Sequence, residues 1–118
     1  MRAKLKRLHS PDAADLESFA PADPDNFAFL LQLMVGPEHE AGEESFDVQV
    51  CTPRWLMTRW GTADVVSLRH HILMARYDYA AMAEALRRMV ESCTGSTWPE
   101  VAEKVGRIGR WEFEDYSA

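Results

Sequence analysis

The pattern of apolar and polar positions is clearest in residues 27–56, which contain the most apolar run of the chain. Both sets of alternate positions in residues 27–35 are apolar, with Gln32 as the exception. A run that is apolar on both faces is typical of a central strand covered on both sides. Residues 46–51, which follow an acidic loop, have a large apolar side chain at every second position and predict a strand with one buried face. Because the loop is short, we expect the two strands to pair antiparallel.

Two weaker patterns predict further strands. Residues 2–9 alternate between apolar and basic side chains, and the lysines favour an edge strand because they discourage pairing with other chains. Residues 65–75 carry strand-forming side chains with His70 and His71 on opposite faces. The sequence therefore predicts a sheet of about four antiparallel strands.

Three helices are predicted from their start signals. Thr52 is a suitable N-cap and Pro53 suits the first helical position, so a short helix is expected at residues 54–56. An apolar stripe at helical spacing runs through residues 78–93, and a capping box opens residues 97–105. We expect an α+β fold in which the two longer helices pack mainly on one face of the antiparallel sheet.

The length of 118 residues predicts a single domain, residues 1–118. No apolar run reaches the roughly 18 residues of a membrane span, and the basic N-terminus lacks the apolar core of a secretory signal. Cys51 and Cys93 lack the spacing of a metal pair, so two free thiols in a reducing compartment are expected. These features predict a cytoplasmic protein without membrane contact.

The charge of the chain is unevenly distributed. The formal net charge is −6, and residues 8–53 contain ten carboxylates and no lysine or arginine. A nucleic-acid-binding protein needs a basic surface against phosphate, so this distribution argues against that class. An acidic surface suits a basic protein partner, and it also suits a solvated face that keeps the protein soluble.

Catalytic chemistry finds little support in the sequence. His70 and His71 are neighbours in a predicted strand, so they cannot share a metal ion, and no metal or cofactor site is predicted. Glu112, Glu114 and Asp115 are the best candidates for paired carboxylates, but no nucleophile or phosphate-binding loop accompanies them. We expect a protein that is not an enzyme.

Four stretches of the chain resemble one known family: LKRLHSPD (5–12), DPDNFAFLLQLMVGP (23–37), ESFDVQVCTPRWL (44–56) and GSTWPEVAEKVGRIGRWEFEDY (95–116). They are similar to the Immunity protein 8 family of bacterial polymorphic-toxin systems, and residues 57–66 depart from it. The resemblance implies a small α+β protein, made in the cytoplasm of the toxin producer, that binds a cognate toxin domain and blocks it. It does not imply which activity the toxin has, although a nuclease would suit the acidity.

Two acidic surfaces are the candidate partner-binding sites. The first is a hairpin loop, and the second is the C-terminal tail, whose three aromatic residues either pack onto the domain or face a partner. The candidate residues are Glu38, Glu40, Glu43, Glu44 and Asp47 in the hairpin, and Trp111, Glu112, Glu114, Asp115 and Tyr116 in the tail.

Two other functional classes stay open. The chain could be a general interaction module or a subunit of a cytoplasmic assembly. It could also be a small enzyme, which would require the carboxylates of Glu112, Glu114 and Asp115 to converge in a pocket. A monomer and a homodimer formed through the edge strand are both compatible with the sequence.

Overall fold

The computed structural model describes residues 1–61, residue 63 and residues 65–114. These residues form one sheet in the order β1-β2-β3-β4, with β5 paired to β3. The predicted α+β fold with a mostly antiparallel sheet is confirmed. Along the chain, the elements are β1 (Ala3–His9), β2 (Ala28–Pro37), β3 (Glu44–Cys51), α1 (Pro53–Trp60), β4 (His71–Leu73), α2 (Tyr79–Glu91), α3 (Trp98–Val105) and β5 (Arg110–Trp111).

The antiparallel pair of β2 and β3 forms the centre of the core. Its register places Phe29 opposite Val50 and Leu33 opposite Phe46, and all four side chains are buried. Helices α2 and α3 cover this face of the sheet with their buried side chains, as predicted. Those side chains are Met82, Leu86 and Val90 of α2 and Val101, Ala102 and Val105 of α3.

The opposite face of β2 differs from the prediction. Its side chains, from Ala28 to Met34 at alternate positions, are only half-buried. The expectation of a strand covered on both sides is therefore wrong for this face. The physical reason is that both long helices pack on the other side of the sheet.

Strand β1 lies at the edge of the sheet, as predicted, and pairs antiparallel with β2. A bulge between Leu5 and Arg7 shifts the register, so Leu5 and Leu8 both pack against the core although they are three residues apart. The start of β1 is tied to the end of α2, because the backbone N–H of Ala3 donates to the carbonyl of Cys93 at 3.0 Å.

The strand predicted at residues 65–75 is much shorter in the structure. Only His71–Leu73 form β4, and they pair parallel to β3, so the sheet is mixed. A turn precedes the strand: the N–H of His71 donates to the carbonyl of Leu68 at 3.1 Å, and His70 has a φ of +62°. Parallel pairing is possible because the long connection through α1 returns the chain to the same end of β3.

An aromatic cluster holds the acidic segment before β2 against the sheet. The ring of Phe19 meets the rings of Phe29 and Tyr77 edge-on, with centroids 5.2 and 5.1 Å apart. The hydroxyl of Tyr77 donates to the carbonyl of Leu16 at 2.5 Å. This cluster joins the N-terminal segment to the chain that follows β4.

Candidate functional site

The loop between β2 and β3 carries Glu38, Glu40 and Glu43, and two glycines close its neck. A Cβ atom at Gly36 would collide with the carbonyl oxygen of Gly42. Gly42 itself has a φ of +106°, which side-chain-bearing residues rarely adopt. The loop therefore has a defined shape that requires glycine at both positions.

Two basic residues at the start of the chain reach this loop, Arg2 directly before β1 and Arg7 within it. The guanidinium of Arg2 contacts both carboxylate oxygens of Glu38 at 3.0 and 3.1 Å, and Nε of Arg7 lies 2.6 Å from Oε1 of Glu43. Each exposed ion pair of this kind contributes about 0–1 kcal/mol to stability. Their main consequence here is that arginines compensate two of the loop's carboxylates.

Glu40 is different from its two neighbours in the loop. Its side chain is exposed and, within the described residues, has no ion-pair partner. Its backbone makes two hydrogen bonds: the carbonyl accepts from Nζ of Lys6 at 2.6 Å, and the N–H donates to the carbonyl of Pro37 at 3.4 Å. Its charge is therefore available to a partner.

The tail packs onto β3 through Trp111. The two-residue strand β5 pairs antiparallel with β3, and the indole of Trp111 stacks on the ring of Phe46 with centroids 6.2 Å apart and planes 9° apart. Gly109 allows this approach, because a Cβ atom there would lie 3.1 Å from the backbone of Phe46. The ring of Phe113 meets Trp111 edge-on at 5.7 Å and is 41% exposed. For Trp111, the packing interpretation of the tail aromatics is confirmed.

Hydrogen bonds join the hairpin and the tail into one surface. Nε1 of Trp111 donates to Oε2 of Glu44 at 2.7 Å, and the backbone N–H of Ser45 donates to Oε1 of Glu112 at 2.8 Å. Because these donors are neutral, Glu44 and Glu112 keep their negative charges. Asp47 lies further along β3 and accepts from Nε2 of Gln32 at 3.4 Å.

We call this region the hairpin–tail surface. The sequence predicted two separate acidic surfaces, and the pairing of β5 with β3 makes them continuous. Of the predicted residues, Asp115 and Tyr116 lie outside the described part of the chain. The hairpin–tail surface comprises Glu38, Glu40, Glu43, Glu44, Asp47, Trp111, Glu112 and Glu114.

The two described carboxylates of the tail, Glu112 and Glu114, have different surroundings. Glu112 faces the backbone of Ser45, whereas Oε1 of Glu114 lies 2.5 Å from Nη2 of Arg69. A groove of about 370 Å³ beside Trp111 is lined by Glu114 and not by Glu112. The convergence that the enzyme alternative requires is therefore absent for these two described carboxylates.

The adjacent histidines make backbone contacts. Nε2 of His70 lies 2.7 Å from the carbonyl of Gly106, and Nδ1 of His71 lies 2.9 Å from the carbonyl of Arg69. Among the described residues, no three His, Cys, Asp or Glu side chains are grouped to hold a metal ion.

The described helices also include none that is long and apolar enough to span a membrane.

The family model of Immunity protein 8 matches residues 3–116. The chain belongs to the Immunity protein 8 family. The match to this family confirms the resemblance seen in the sequence, and it covers every strand and helix and the whole hairpin–tail surface. No curated protein and no solved structure matches the chain.

Two features of this Immunity protein 8 family member were missed by the sequence reasoning. The first is the pairing of Glu38 with Arg2 and of Glu43 with Arg7, which joins residues 36 positions apart and which no local pattern indicates. The second is α1, which was predicted only as a short helix. The structure shows that none of its residues is buried, and its spacing of apolar residues and arginines is a signal that was already readable.

Proposed function

We propose that this chain binds a cognate toxin domain and neutralises it without catalysis, using the hairpin–tail surface. The observation that carries the proposal is the match of nearly the whole chain to the Immunity protein 8 family. A surface suited to this task is preformed, because binding then requires little ordering of loops and side chains. The glycine neck, the Arg2–Glu38 pair and the stack of Trp111 on Phe46 support this property.

The charge of the surface favours a basic partner. Glu40, Glu44 and Glu112 carry negative charge without an ion-pair partner among the described residues. Complementary charge accelerates association and excludes wrong partners. A toxin domain that acts on nucleic acid has a basic active site, so we propose a nuclease as the partner that this surface fits best. The carboxylates would then occupy the place of substrate phosphates.

Aromatic side chains provide the second component of the surface. Trp111 and Phe113 lie next to the unpaired carboxylates, and aromatic residues are frequent among the residues that dominate binding energy.

The two cysteines are free and buried, which supports action in the reducing cytoplasm of the toxin-producing cell.

The proposal is tested by co-expression with the toxin domain encoded next to this chain's gene. We expect a stoichiometric complex that restores growth of cells expressing the toxin domain. The association rate should fall steeply between low and high salt, because exposed charges are screened within about 8–10 Å at physiological ionic strength. Absence of a complex and of protection would contradict the proposal.

A matched pair of variants locates the interface. Glu40→Lys reverses a charge whose side chain has no internal partner in the described chain, and we expect the association rate at low salt to fall about 3- to 10-fold. Glu17→Lys makes the same change of net charge in the exposed segment before β2 and should leave the rate nearly unchanged. Equal effects of the two variants would indicate long-range charge alone and contradict the assigned surface.

A further inference from the structure

Helix α1 presents an apolar stripe that the described chain covers only at Leu56, which is half-buried. Pro53, Leu56, Met57 and Trp60 follow the spacing i, i+3, i+4 and i+7, which in a globular protein marks the face packed on the core. No residue of α1 is buried, and Met57 and Trp60 are 69% and 37% exposed. The stripe therefore has the pattern of a buried face without the burial.

Two arginines flank this stripe. At about 100° per residue, Arg54 and Arg59 lie on either side of it, each about 60° from its margin. The guanidinium of Arg59 lies over the ring of Trp60 at 4.6 Å, which holds both side chains at the surface.

The arginines of α1 differ from most other arginines of the described chain, which pair with carboxylates. Elsewhere in the described chain, six of the other eight arginines pair with carboxylates, and Arg107 and Arg110 do not. Arg54 and Arg59 have no such partner among the described residues, and α1 itself contains no acidic residue. The helix is thus a local positive site on a chain of net charge −6.

We propose that α1 is a docking helix whose apolar stripe enters a groove of the toxin domain rimmed by carboxylates. This inference rests on the proposed function, because it assigns a second contact to the same partner. Trp, Met and Arg are enriched at the centres of protein interfaces, and an amphipathic helix in an apolar groove is a recurring mode of recognition. The carboxylates of the partner would pair with Arg54 and Arg59 on both sides of the stripe.

Charge favours the toxin domain over two other occupants. A second copy related by two-fold symmetry would bring two α1 helices together, each with two arginines and no acidic residue. An anionic membrane surface would repel a chain of net charge −6, and a helix of eight residues offers little area for insertion.

The distance along β3 between the two surfaces is within the width of one protein interface. The hairpin lies at one end of β3 and α1 follows the other end, so about 23 Å of strand separates them. A standard interface, with about 800 Å² on each partner, is about 30 Å across. The two contacts then have different kinetic roles, because the acidic surface steers association and the apolar helix limits dissociation.

The test measures binding of the adjacent-gene toxin domain to variants of the full chain. We expect Trp60→Ala to weaken the complex about 30-fold, mainly through faster dissociation, and Arg54→Glu with Arg59→Glu to weaken it similarly. Met57→Ala should also weaken the complex. Its matched control is Met89→Ala, at an exposed methionine of α2, which should have no effect. In the complex, amides of α1 should exchange with solvent more slowly than in the free protein.

Each other outcome overturns the inference in a distinguishable way. If the wild-type chain binds and the α1 variants bind equally well, α1 is not a docking helix, and the proposed function stands. If the wild-type chain fails to bind, both proposals fail. Self-association that Met57→Ala abolishes would identify a second copy as the occupant, and binding to phosphatidylglycerol vesicles that Trp60→Ala abolishes would identify a membrane.

Discussion

Helices α1 and α3 are built from the same local signals and are used differently. Both have eight residues, a threonine N-cap and a proline in the first turn, and a glycine follows each of them. The hydroxyl of Thr52 accepts from the N–H of Trp55 at 3.3 Å, and that of Thr97 accepts from Glu100 at 3.4 Å. Yet α3 buries three residues in the core, and α1 buries none.

The difference shows that N-terminal capping of a helix does not determine whether the helix is buried against the core. A cap satisfies the first N–H groups of a helix wherever the helix lies. Burial depends on the space left on the sheet, and α2 and α3 already occupy the face that forms the core. A helix that is capped but not packed on the core leaves much of its apolar surface exposed.

The largest effect on stability is expected at the two N-caps. Here the cap of α1 contributes more than the cap of α3, although α1 is the helix without core burial. Thr52 is fully buried and its hydroxyl also accepts from the N–H of Phe27 at 3.2 Å, whereas Thr97 is exposed. Thr52→Ala removes a cap and leaves a buried N–H unpaired, so we expect a loss of about 2–4 kcal/mol in the free energy of unfolding. Thr97→Ala should lose about 1 kcal/mol. Urea denaturation measures both.

A conservative variant controls for volume at the buried cap. Thr52→Ser keeps the hydroxyl and should recover most of the stability that Thr52→Ala loses. An equal loss in the Ser and Ala variants would show that the methyl group, and not the two hydrogen bonds, is responsible.

The second largest difference is expected in local unfolding of the two helices, as measured by amide hydrogen exchange. The amides of Leu56 and Val101 occupy the same position, since each donates to the carbonyl of its N-cap threonine. Because α1 is not held by the core, we expect Leu56 to exchange on the order of 100-fold faster than Val101 after correction for intrinsic rates. Hydrogen exchange followed by NMR measures this ratio. Similar protection of the two amides would mean that α1 is stabilised by contacts other than core burial.

Truncation of apolar side chains should show a smaller contrast. Val101→Ala removes two buried methyl groups from α3 and should lower the free energy of unfolding by about 1.5–2.5 kcal/mol. Met57→Ala removes an exposed side chain from α1 and should change it by less than about 0.5 kcal/mol. Thermal denaturation compares the two, and a destabilised Met57 variant would indicate a packing role for α1.

The smallest effect concerns Tyr77, where the segment that follows α1 rejoins the core. Burial raises the pKa of Tyr77 above its usual value near 10, and Tyr79 and Asp15 raise it further. The folded protein therefore holds this proton more tightly than the unfolded chain does. The resulting stability is present below pH 10 and is lost as the pH rises through the raised pKa.

Absorbance at 295 nm during an alkaline titration should show a tyrosine phase above the usual pKa near 10, which we assign to Tyr77. Tyr77→Phe should remove this phase and weaken the dependence of stability on pH above 10. Simultaneous titration of all tyrosines in the folded wild-type protein would contradict the assignment.

Most elements were predictable because their signals are local. The alternation in β2 and β3, the caps at Thr52, Asp78 and Thr97, and the stripe of α2 each depend on residues within one or two turns of chain. Strand β4 was predicted too long, since alternation continues through the turn at His70 and does not reveal its positive φ.

The candidate site was only partly predictable. Its hairpin carboxylates and Trp111 were identified from charge and aromatic content. That the hairpin and the tail form one surface was not predicted, because the hydrogen bond from Trp111 to Glu44 joins residues 67 positions apart. The arginine partners of Glu38 and Glu43 lie 36 positions away along the chain, Arg2 directly before β1 and Arg7 within it.

The sequence by itself determined where the helices begin and which strands form the central hairpin. These properties follow from hydrogen bonding and periodicity over short distances. The tertiary structure alone decided that the two acidic segments form one surface and that α1 stays uncovered. Both outcomes depend on which edges and faces of the sheet other elements already occupy, and no local pattern contains that information.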